Sequence, residues 1–254
     1  MARYFLEVAY DGTAFHGSQL QGDIATVQLE VNKALSTIVR EDIISFGASR
    51  TDEGVHALCN FYHFDTGQTL HPHFLYKLNA VLHPKISAKA LYQPNDAEMN
   101  ARFAAISRQY RYRIYNKKNP FLIDRALMYP YALNAEVLQQ TAAIIKEYTN
   151  FESFSKRNTQ TFTFNCEIMD SHWEEHEGEL HYVVEANRFL RGMVSGLVGT
   201  QLRVARGSES IEGFRKIIEV KDCTKAYFDV AGHGLYLEKI NYPDGSLAEL
   251  KDKK

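Results

Sequence analysis

Cysteine is scarce in this sequence, and long apolar runs are missing. The three cysteines, Cys59, Cys166 and Cys223, stand apart with no C-x-x-C pair. This spacing argues against a disulfide framework or a cysteine-ligated zinc site and fits a reducing cytoplasm. No apolar run approaches the roughly 20 residues that span a bilayer. The first residues alternate like a strand and have no signal-peptide pattern. We therefore expect a cytoplasmic protein without a membrane partner.

A strong net charge is also missing, since 29 Lys and Arg residues nearly balance 31 Asp and Glu residues. The basic residues are nevertheless unevenly distributed. Residues 101–118 and 186–206 together contain ten of them and no acid. Such segments can give a nearly neutral protein a basic cleft that attracts a phosphate backbone. The pattern alone favours the simpler explanation of two solvated basic faces.

Metal-ligand patterns are sparse as well. Only His71 and His73 are closely spaced among the histidines, and Pro72 lies between them. Proline is typical of the first turn of a helix, so a helix start explains this pair better than a metal site does. We therefore predict no metal site.

Apolar spacing predicts the secondary structure. Period-two alternation indicates strands near residues 3–10, 43–48, 58–64, 86–93, 106–115, 160–170, 179–187 and 234–241. Helical spacing indicates helices after Thr26, from about Pro72 to Leu82, after Asn134, over 188–206 and over 209–219. Strands and helices alternate without the regular rhythm of a Rossmann fold, so we predict an α+β protein.

The densest group of reactive side chains lies between two predicted strands, from Gly47 to Ala57. This segment reads Gly-Ala-Ser-Arg-Thr-Asp-Glu-Gly-Val-His-Ala. Gly47 and Gly54 allow sharp or left-handed turns. A loop with a guanidinium, a hydroxyl, carboxylates and an imidazole on a stiff scaffold is a common place for chemistry. By itself, the pattern fits a solvated turn equally well.

The same segment resembles the G-A-G-R-T-D-A-G-V-H-A signature of the TruA family of pseudouridine synthases, which isomerise uridines in the anticodon arm of tRNA. Six other segments resemble motifs of this family in the same order: residues 10–17, 78–82, 101–112, 151–154, 186–194 and 234–237. A single one of these motifs is a weak indication of the family, but seven of them in the same order are a specific one. The resemblance extends from about residue 3 to residue 243.

The resemblance implies a fold and a set of partners. It implies two α+β halves joined by a continuous mixed or antiparallel sheet with a central basic cleft, the pseudouridine synthase fold. We place an N-terminal half at residues 1–100, a C-terminal half at 101–245 and a charged tail at 246–254. The implied substrate is the anticodon stem-loop of tRNA, and the implied assembly is a homodimer. The reaction moves the ribose bond from N1 to C5 of the base, so we expect no cofactor.

Three residues of the motifs match the central active-site positions of the family. Asp52 matches the catalytic aspartate, although an Asx-turn would also explain an aspartate there. Arg50 is implied to hold the target base out of its stack, and a structural arginine bonded to loop carbonyls is the alternative. Tyr110 is implied to stack on that base, and a core tyrosine in a strand is the alternative.

Other matches are weaker. Arg102 and Arg108 are candidate phosphate contacts, because strand alternation prevents all the arginines of residues 101–118 from facing one cleft. Leu235 resembles an apolar wall of the base pocket, and an ordinary core leucine explains it nearly as well.

The sequence departs from the family at several motif positions. Ser195 stands where the family has an arginine that pairs with the catalytic aspartate, and Ser18 replaces a tryptophan. On a helix over 188–206, Arg191 would lie one turn before Ser195, so we predict that Arg191, with Arg188 as second choice, supplies the missing charge. A non-catalytic or specificity-altered RNA-binding paralogue is the alternative. An unrelated aspartate-dependent hydrolase has no supporting residue pair.

Overall fold

The computed structural model describes residues 1–157 and 161–251, and these contain ten strands and five α-helices. The α+β fold class predicted from apolar spacing is confirmed. The strands are β1 Ala2–Tyr10, β2 Phe46–Gly47, β3 His56–Thr66, β4 Ile86–Pro94, β5 Ser107–Tyr115, β6 Leu127–Met128, β7 Ile168–His176, β8 Glu179–Ala186, β9 Leu235–Asn241 and β10 Leu247–Glu249. The helices are α1 Val27–Val39, α2 Phe74–Val81, α3 Ala135–Ile145, α4 Met193–Ala205 and α5 Ile211–Glu219.

The chain forms two compact units. Among the described residues, the first unit contains Met1–Ile106 together with residues 237–251, and the second lies within Ser107–Tyr236. The sequence placed the boundary at residues 100 and 101 and treated 246–254 as a tail. The chain returns to the first unit within β9, at Leu237, and β10 then pairs antiparallel with β4, where Leu247 lies opposite Pro94. A three-residue strand is too short to stand out from its own alternation.

Antiparallel strands form the first unit in the order β10, β4, β1 and β3, with β2 paired to β3. Helix α1 begins where the sequence predicts, because the Thr26 hydroxyl accepts the Leu29 N–H at 3.3 Å. Its apolar positions Val27, Val31 and Leu35 are buried. Phe74 at the start of α2 stacks on Phe64 of β3, with ring centroids 6.4 Å apart.

The second unit is built on the order β5, β8 and β7, all antiparallel, with β6 parallel to β5. Helix α3 packs on β7 and on α4, and α5 packs on both helices. The Asn134 side chain caps α3 by accepting the Val137 N–H at 3.2 Å. Below the helices, Trp173 of β7 and Tyr182 of β8 are buried.

Two predicted elements differ in their bounds. The strand predicted near 160–170 is β7, which begins at Ile168; residue 160 lies outside the described residues. The helix predicted over 188–206 begins only at Met193, because Gly192 adopts a left-handed backbone with φ of 74°. Arg191 and Arg188 therefore precede α4 and do not share a helical stripe with Ser195.

Candidate active site

The reactive loop predicted from the sequence connects β2 to β3 in the first unit. Gly47 ends β2 and His56 begins β3, so both ends of the loop are held by the sheet. The Ala48 N–H extends this pairing by donating to the Phe61 carbonyl at 2.7 Å. The start of the loop is therefore held against β3, the strand into which the loop leads.

Thr51 is the most firmly held residue of the loop. Its N–H donates to Ser18 Oγ at 2.8 Å, and its carbonyl accepts the Ser18 N–H at 3.0 Å. Its hydroxyl lies 2.8 Å from the Tyr10 hydroxyl. Thr51 is only 7% exposed, whereas Arg50 and Asp52 on either side are exposed. The loop thus presents a guanidinium and a carboxylate from a fixed, buried centre.

Asn60 of β3 holds the preceding part of the loop, a role that was missed from the sequence. Its side-chain oxygen accepts the Ser49 N–H at 3.3 Å, and its amide donates to the Ser49 carbonyl at 3.0 Å. The same amide lies 3.3 Å from the Tyr10 hydroxyl. Asn60 is fully buried. A buried asparagine within an otherwise apolar strand was the available signal, because such a group needs a partner.

A tight turn follows the aspartate. The Asp52 carbonyl accepts the Val55 N–H at 3.2 Å, and Gly54 has a left-handed φ of 76° that suits glycine. The opening motif packs against this turn through Gly12, where an added Cβ would lie 2.0 Å from the Val55 carbonyl oxygen. Only glycine allows this close approach.

A polar cluster fixes the far end of the loop. His56 Nδ1 accepts the Gly12 N–H at 3.2 Å and lies 3.3 Å from Asp11 Oδ1. The Lys85 ammonium lies 3.1 Å from Asp11 Oδ2 and 2.8 Å from Thr13 Oγ1. His56 is buried. The imidazole of the signature therefore anchors the loop to the turn after β1.

Glu53, the second carboxylate of the loop, lies near His16. Its Oε2 lies 3.4 Å from His16 Nδ1, and these two side chains are 72% and 60% exposed. An ion pair this exposed contributes little to stability. Glu53 is consequently a natural comparison for Asp52, since both are exposed carboxylates on the same loop.

Tyr110 lies in β5 of the second unit, opposite Val184 of β8. Its side chain is 6% exposed, and the ring of Phe189 meets it edge-on at 5.0 Å with an interplanar angle of 82°. Arg108, two residues earlier on the same face, is also buried and donates from Nη1 to the Asn187 carbonyl at 2.9 Å. The alternation predicted for β5 thus brings Tyr110 and Arg108 to one face.

The opposite face of β5 carries two arginines that are already paired. Arg111 bonds to Glu174, and Arg113 lies 2.8 Å from Glu179. Burial opposes ionisation of Glu179, but its bonds to Arg113 and His181 lower its pKa overall. These pairs neutralise two of the six basic side chains of residues 101–118. They agree with the prediction that the arginines of this segment do not all face one cleft.

Arg191 lies in the turn between β8 and α4. Its carbonyl accepts the Lys156 N–H at 2.9 Å, and the left-handed Gly192 packs close to the Lys156 side chain. The side chain of Arg191 is exposed, and Arg188 is half-buried. Ser195 lies in the first turn of α4. The argument from one helical turn of spacing between Arg191 and Ser195 is therefore wrong.

The remaining predicted residues are Arg102, in the connection between β4 and β5, and Leu235, at the start of β9. Arg102 follows β4 in a turn where Asn100 Oδ1 accepts its N–H at 2.9 Å, and its guanidinium lies 5.6 Å from the ring centre of the exposed Phe103. Leu235 begins β9 and is 7% exposed. Arg50, Asp52 and Arg102 thus belong to the first unit, whereas Arg108, Tyr110, Arg191 and Leu235 belong to the second.

Cys59 and Cys166 are two other side chains that could act as nucleophiles. Burial raises the pKa of Cys59 to about 12 and that of Cys166 to about 11, so both thiols are protonated and weakly nucleophilic near neutral pH.

Across residues 1–157 and 161–251, no three His, Cys, Asp or Glu side chains converge in a way that could hold a metal ion. Within the same ranges, every helix is too short or too polar to cross a membrane.

Comparisons with known proteins extend over both units. A family model described as tRNA pseudouridine synthase matches residues 148–243. A protein named tRNA pseudouridine synthase A from Bacteroides thetaiotaomicron is 40% identical over 253 residues, which cover 98% of this chain and 94% of that protein. Proteins of the same name from Parabacteroides distasonis and Coxiella burnetii are 39% and 32% identical, and each match covers 96% of this chain and at least 94% of the relative.

Proposed function

Because this chain belongs to the family of tRNA pseudouridine synthases, we propose that it modifies uridines of the tRNA anticodon stem-loop with Asp52 as its catalytic group. The protein is an isomerase that makes pseudouridine in tRNA. The observation that carries the proposal is the position of Asp52, which is exposed next to the buried and triply bonded Thr51. That arrangement fixes the backbone from which the Asp52 carboxylate projects.

The chemistry needs one well-placed carboxylate. Pseudouridine forms when the bond between ribose and N1 of uracil breaks, the base turns, and a bond to C5 forms. The Asp52 carboxylate would either attack covalently or take up a proton during glycosidic cleavage. Both routes keep all atoms of the base and ribose, require no redox change, and place the carboxylate against the sugar or the base.

We assign two further groups to the target base. A uridine inside a stem must leave its stack to react, which costs a few kcal/mol. The exposed Arg50 would help to hold the extruded nucleotide, and the Tyr110 ring would stack on the base. Tyrosine suits this position because it combines a π-face with a hydrogen-bonding hydroxyl.

Other residues are proposed as contacts to the rest of the substrate. Arg102 and Arg108 would contact phosphates, and Leu235 would form an apolar wall for the base. Arg191 would supply a positive charge to the reaction, with Arg188 as second choice. The relatives described above are all named as synthases, and none of them supports the non-catalytic alternative.

The Tyr110 assignment predicts a difference between two substitutions. Tyr110→Phe should keep stacking and lose only the hydroxyl, whereas Tyr110→Ala should weaken base binding by about 1–3 kcal/mol more. The measurement is tRNA affinity and single-turnover rate, compared with thermal stability. Tyr112→Phe is a matched control, because this buried tyrosine two residues along donates its hydroxyl to the Ala231 carbonyl at 2.7 Å. Negligible effects from both changes at Tyr110 would make it an ordinary core residue.

The proposed mechanism needs no cofactor, and this expectation gives a direct test of activity. We expect the purified protein to form pseudouridine in an unmodified tRNA transcript after exhaustive EDTA treatment and without any added cofactor. Mapping by chemical probing should place the product in the anticodon stem-loop. The transcript is refolded beforehand with monovalent salt, so that metal needed by the RNA is not mistaken for metal needed by the enzyme. Restoration of activity only by a divalent ion under these conditions contradicts the mechanism.

We also propose a homodimer and a cytoplasmic location. The dimer rests on the family resemblance, and sedimentation should then give about twice the chain mass of 29.1 kDa. The location rests on the tRNA substrate and is tested by cell fractionation.

A further inference from the structure

All three polar groups of Thr51 are held by hydrogen bonds. Thr51 uses its N–H, its carbonyl and its hydroxyl in contacts with two residues of the first unit, Ser18 and Tyr10, at 2.8 to 3.0 Å. Both partners are buried, at 2% and 5% exposure. The three residues Ser18, Tyr10 and Thr51 are called the Thr51 clamp below.

The Thr51 clamp acts on the two side chains that flank it. In an extended backbone, neighbouring side chains point to opposite sides, so a buried residue directs the residues on both sides outward. Fixing the N–H and carbonyl of Thr51 fixes the two peptide planes that join it to Arg50 and Asp52. The tether of Ser49 by Asn60, with bonds of 3.0 and 3.3 Å, limits movement of the residue that precedes Arg50.

The clamp is also tightly packed. Gly17, which precedes Ser18, has a left-handed φ of 90°, and an added Cβ there would lie 3.0 Å from the Thr51 carbonyl oxygen. The segment around Ser18 therefore approaches the loop backbone closely, and glycine at position 17 permits this. A shift of the loop toward this segment would compress hydrogen bonds that are already 2.8 and 3.0 Å long, and a shift away from it would break them in a buried region.

We propose that Ser18 and Tyr10 are positioning residues for the isomerisation, holding Thr51 so that Asp52 and Arg50 meet the target nucleotide in a preset geometry. This proposal rests on the assignment of Asp52 above and deepens it. Neither hydroxyl is assigned a contact with substrate. Their contribution is to the rate of the chemical step rather than to tRNA affinity, because small misplacements of a reacting group slow the reaction steeply.

Three nearly isosteric variants separate positioning from stability. Ser18→Ala removes the acceptor of the Thr51 N–H, and Tyr10→Phe and Thr51→Val each remove one side of the hydroxyl pair. The matched control is Thr66→Val in the same unit. The buried Thr66 hydroxyl donates to Glu41 at 2.8 Å and accepts the Gln68 N–H at 3.0 Å, at the opposite end of β3. Single-turnover rate at saturating enzyme, tRNA dissociation constant and Tm are measured for all four.

We expect each clamp variant to lower the single-turnover rate by about 10- to 100-fold, with the tRNA dissociation constant nearly unchanged. Thr66→Val should lower Tm comparably and keep the wild-type rate. The double variant of Tyr10→Phe and Thr51→Val should be no slower than Tyr10→Phe alone, because Tyr10→Phe already removes the bond to Thr51 together with the contact between the Tyr10 hydroxyl and the Asn60 amide. Wild-type rates in folded clamp variants, or losses confined to tRNA affinity, overturn the proposal.

A parallel measurement on Asp52→Ala keeps the two assignments distinct. If Asp52→Ala is inactive while the clamp variants react at the wild-type rate, the clamp proposal alone fails. If Asp52→Ala turns over normally, the catalytic assignment itself fails, and the clamp loses the group it is proposed to position.

Discussion

Asp52→Ala and Asp52→Asn should abolish pseudouridine formation and leave tRNA affinity nearly unchanged. Asp52 is the exposed carboxylate held beside the buried Thr51, and neither alanine nor asparagine can replace it as a nucleophile or proton acceptor. Affinity should persist because phosphate contacts supply most of the binding free energy of protein–nucleic acid complexes. Filter binding and a tritium-release or chemical-mapping assay measure the two quantities separately.

Glu53→Ala is the matched control for this experiment. Glu53 is the adjacent exposed carboxylate, and its contact with His16 is open to solvent. We expect it to retain activity, so that a general effect of removing negative charge from the loop is excluded. Normal turnover in Asp52→Ala, or equal losses in both variants, would remove the assignment of Asp52.

Arg191→Ala should lower the single-turnover rate by about 10²-fold, the size expected when one donor that stabilises developing charge is removed. The turn before α4 fixes the backbone here through the bond between Lys156 N–H and the Arg191 carbonyl and through the left-handed Gly192. The rate of Arg191→Lys should lie between that of the wild type and that of Arg191→Ala, because lysine keeps the positive charge but not the planar guanidinium. Arg188→Ala should have a smaller effect.

Arg215→Ala controls for the loss of one positive charge. Arg215 belongs to α5, where it pairs with Glu147 at 2.6 Å, and it has no assigned role in binding or catalysis. Because Arg191 and Ser195 do not share a helix face, Ser195→Arg is not expected to rescue Arg191→Ala. A wild-type rate in Arg191→Ala would transfer the role to Arg188 if Arg188→Ala is slow, and would remove it from this turn if both variants react normally.

Strongly periodic segments were predictable from the sequence. The alternation of β5 put Tyr110 and Arg108 on one face and Arg111 on the other, and the structure has the first two buried and Arg111 paired with Glu174. The starts of two helices were also predictable from the sequence, since Thr26 and Asn134 cap α1 and α3 as expected. In both cases the information is local, because period and cap chemistry act over a few residues.

The parts that could not be predicted depend on contacts between distant positions. Ser18 was noted only as a departure from a family motif, and its bond to Thr51 joins residues 33 positions apart. The start of α4 depends on the left-handed backbone of Gly192, and apolar spacing does not indicate backbone angles. Strand β10 has no recognisable pattern of its own and exists because β4 offers an edge to pair with.

The central claim is that this protein forms pseudouridine in the tRNA anticodon stem-loop through Asp52. The most direct measurement is a pseudouridine map of tRNA from cells that lack the gene, complemented either with the wild-type chain or with Asp52→Ala expressed to the same level. We predict that anticodon-arm pseudouridines are lost on deletion, return with the wild-type chain and stay absent with Asp52→Ala. An unchanged map on deletion, or full restoration by Asp52→Ala, would contradict the account.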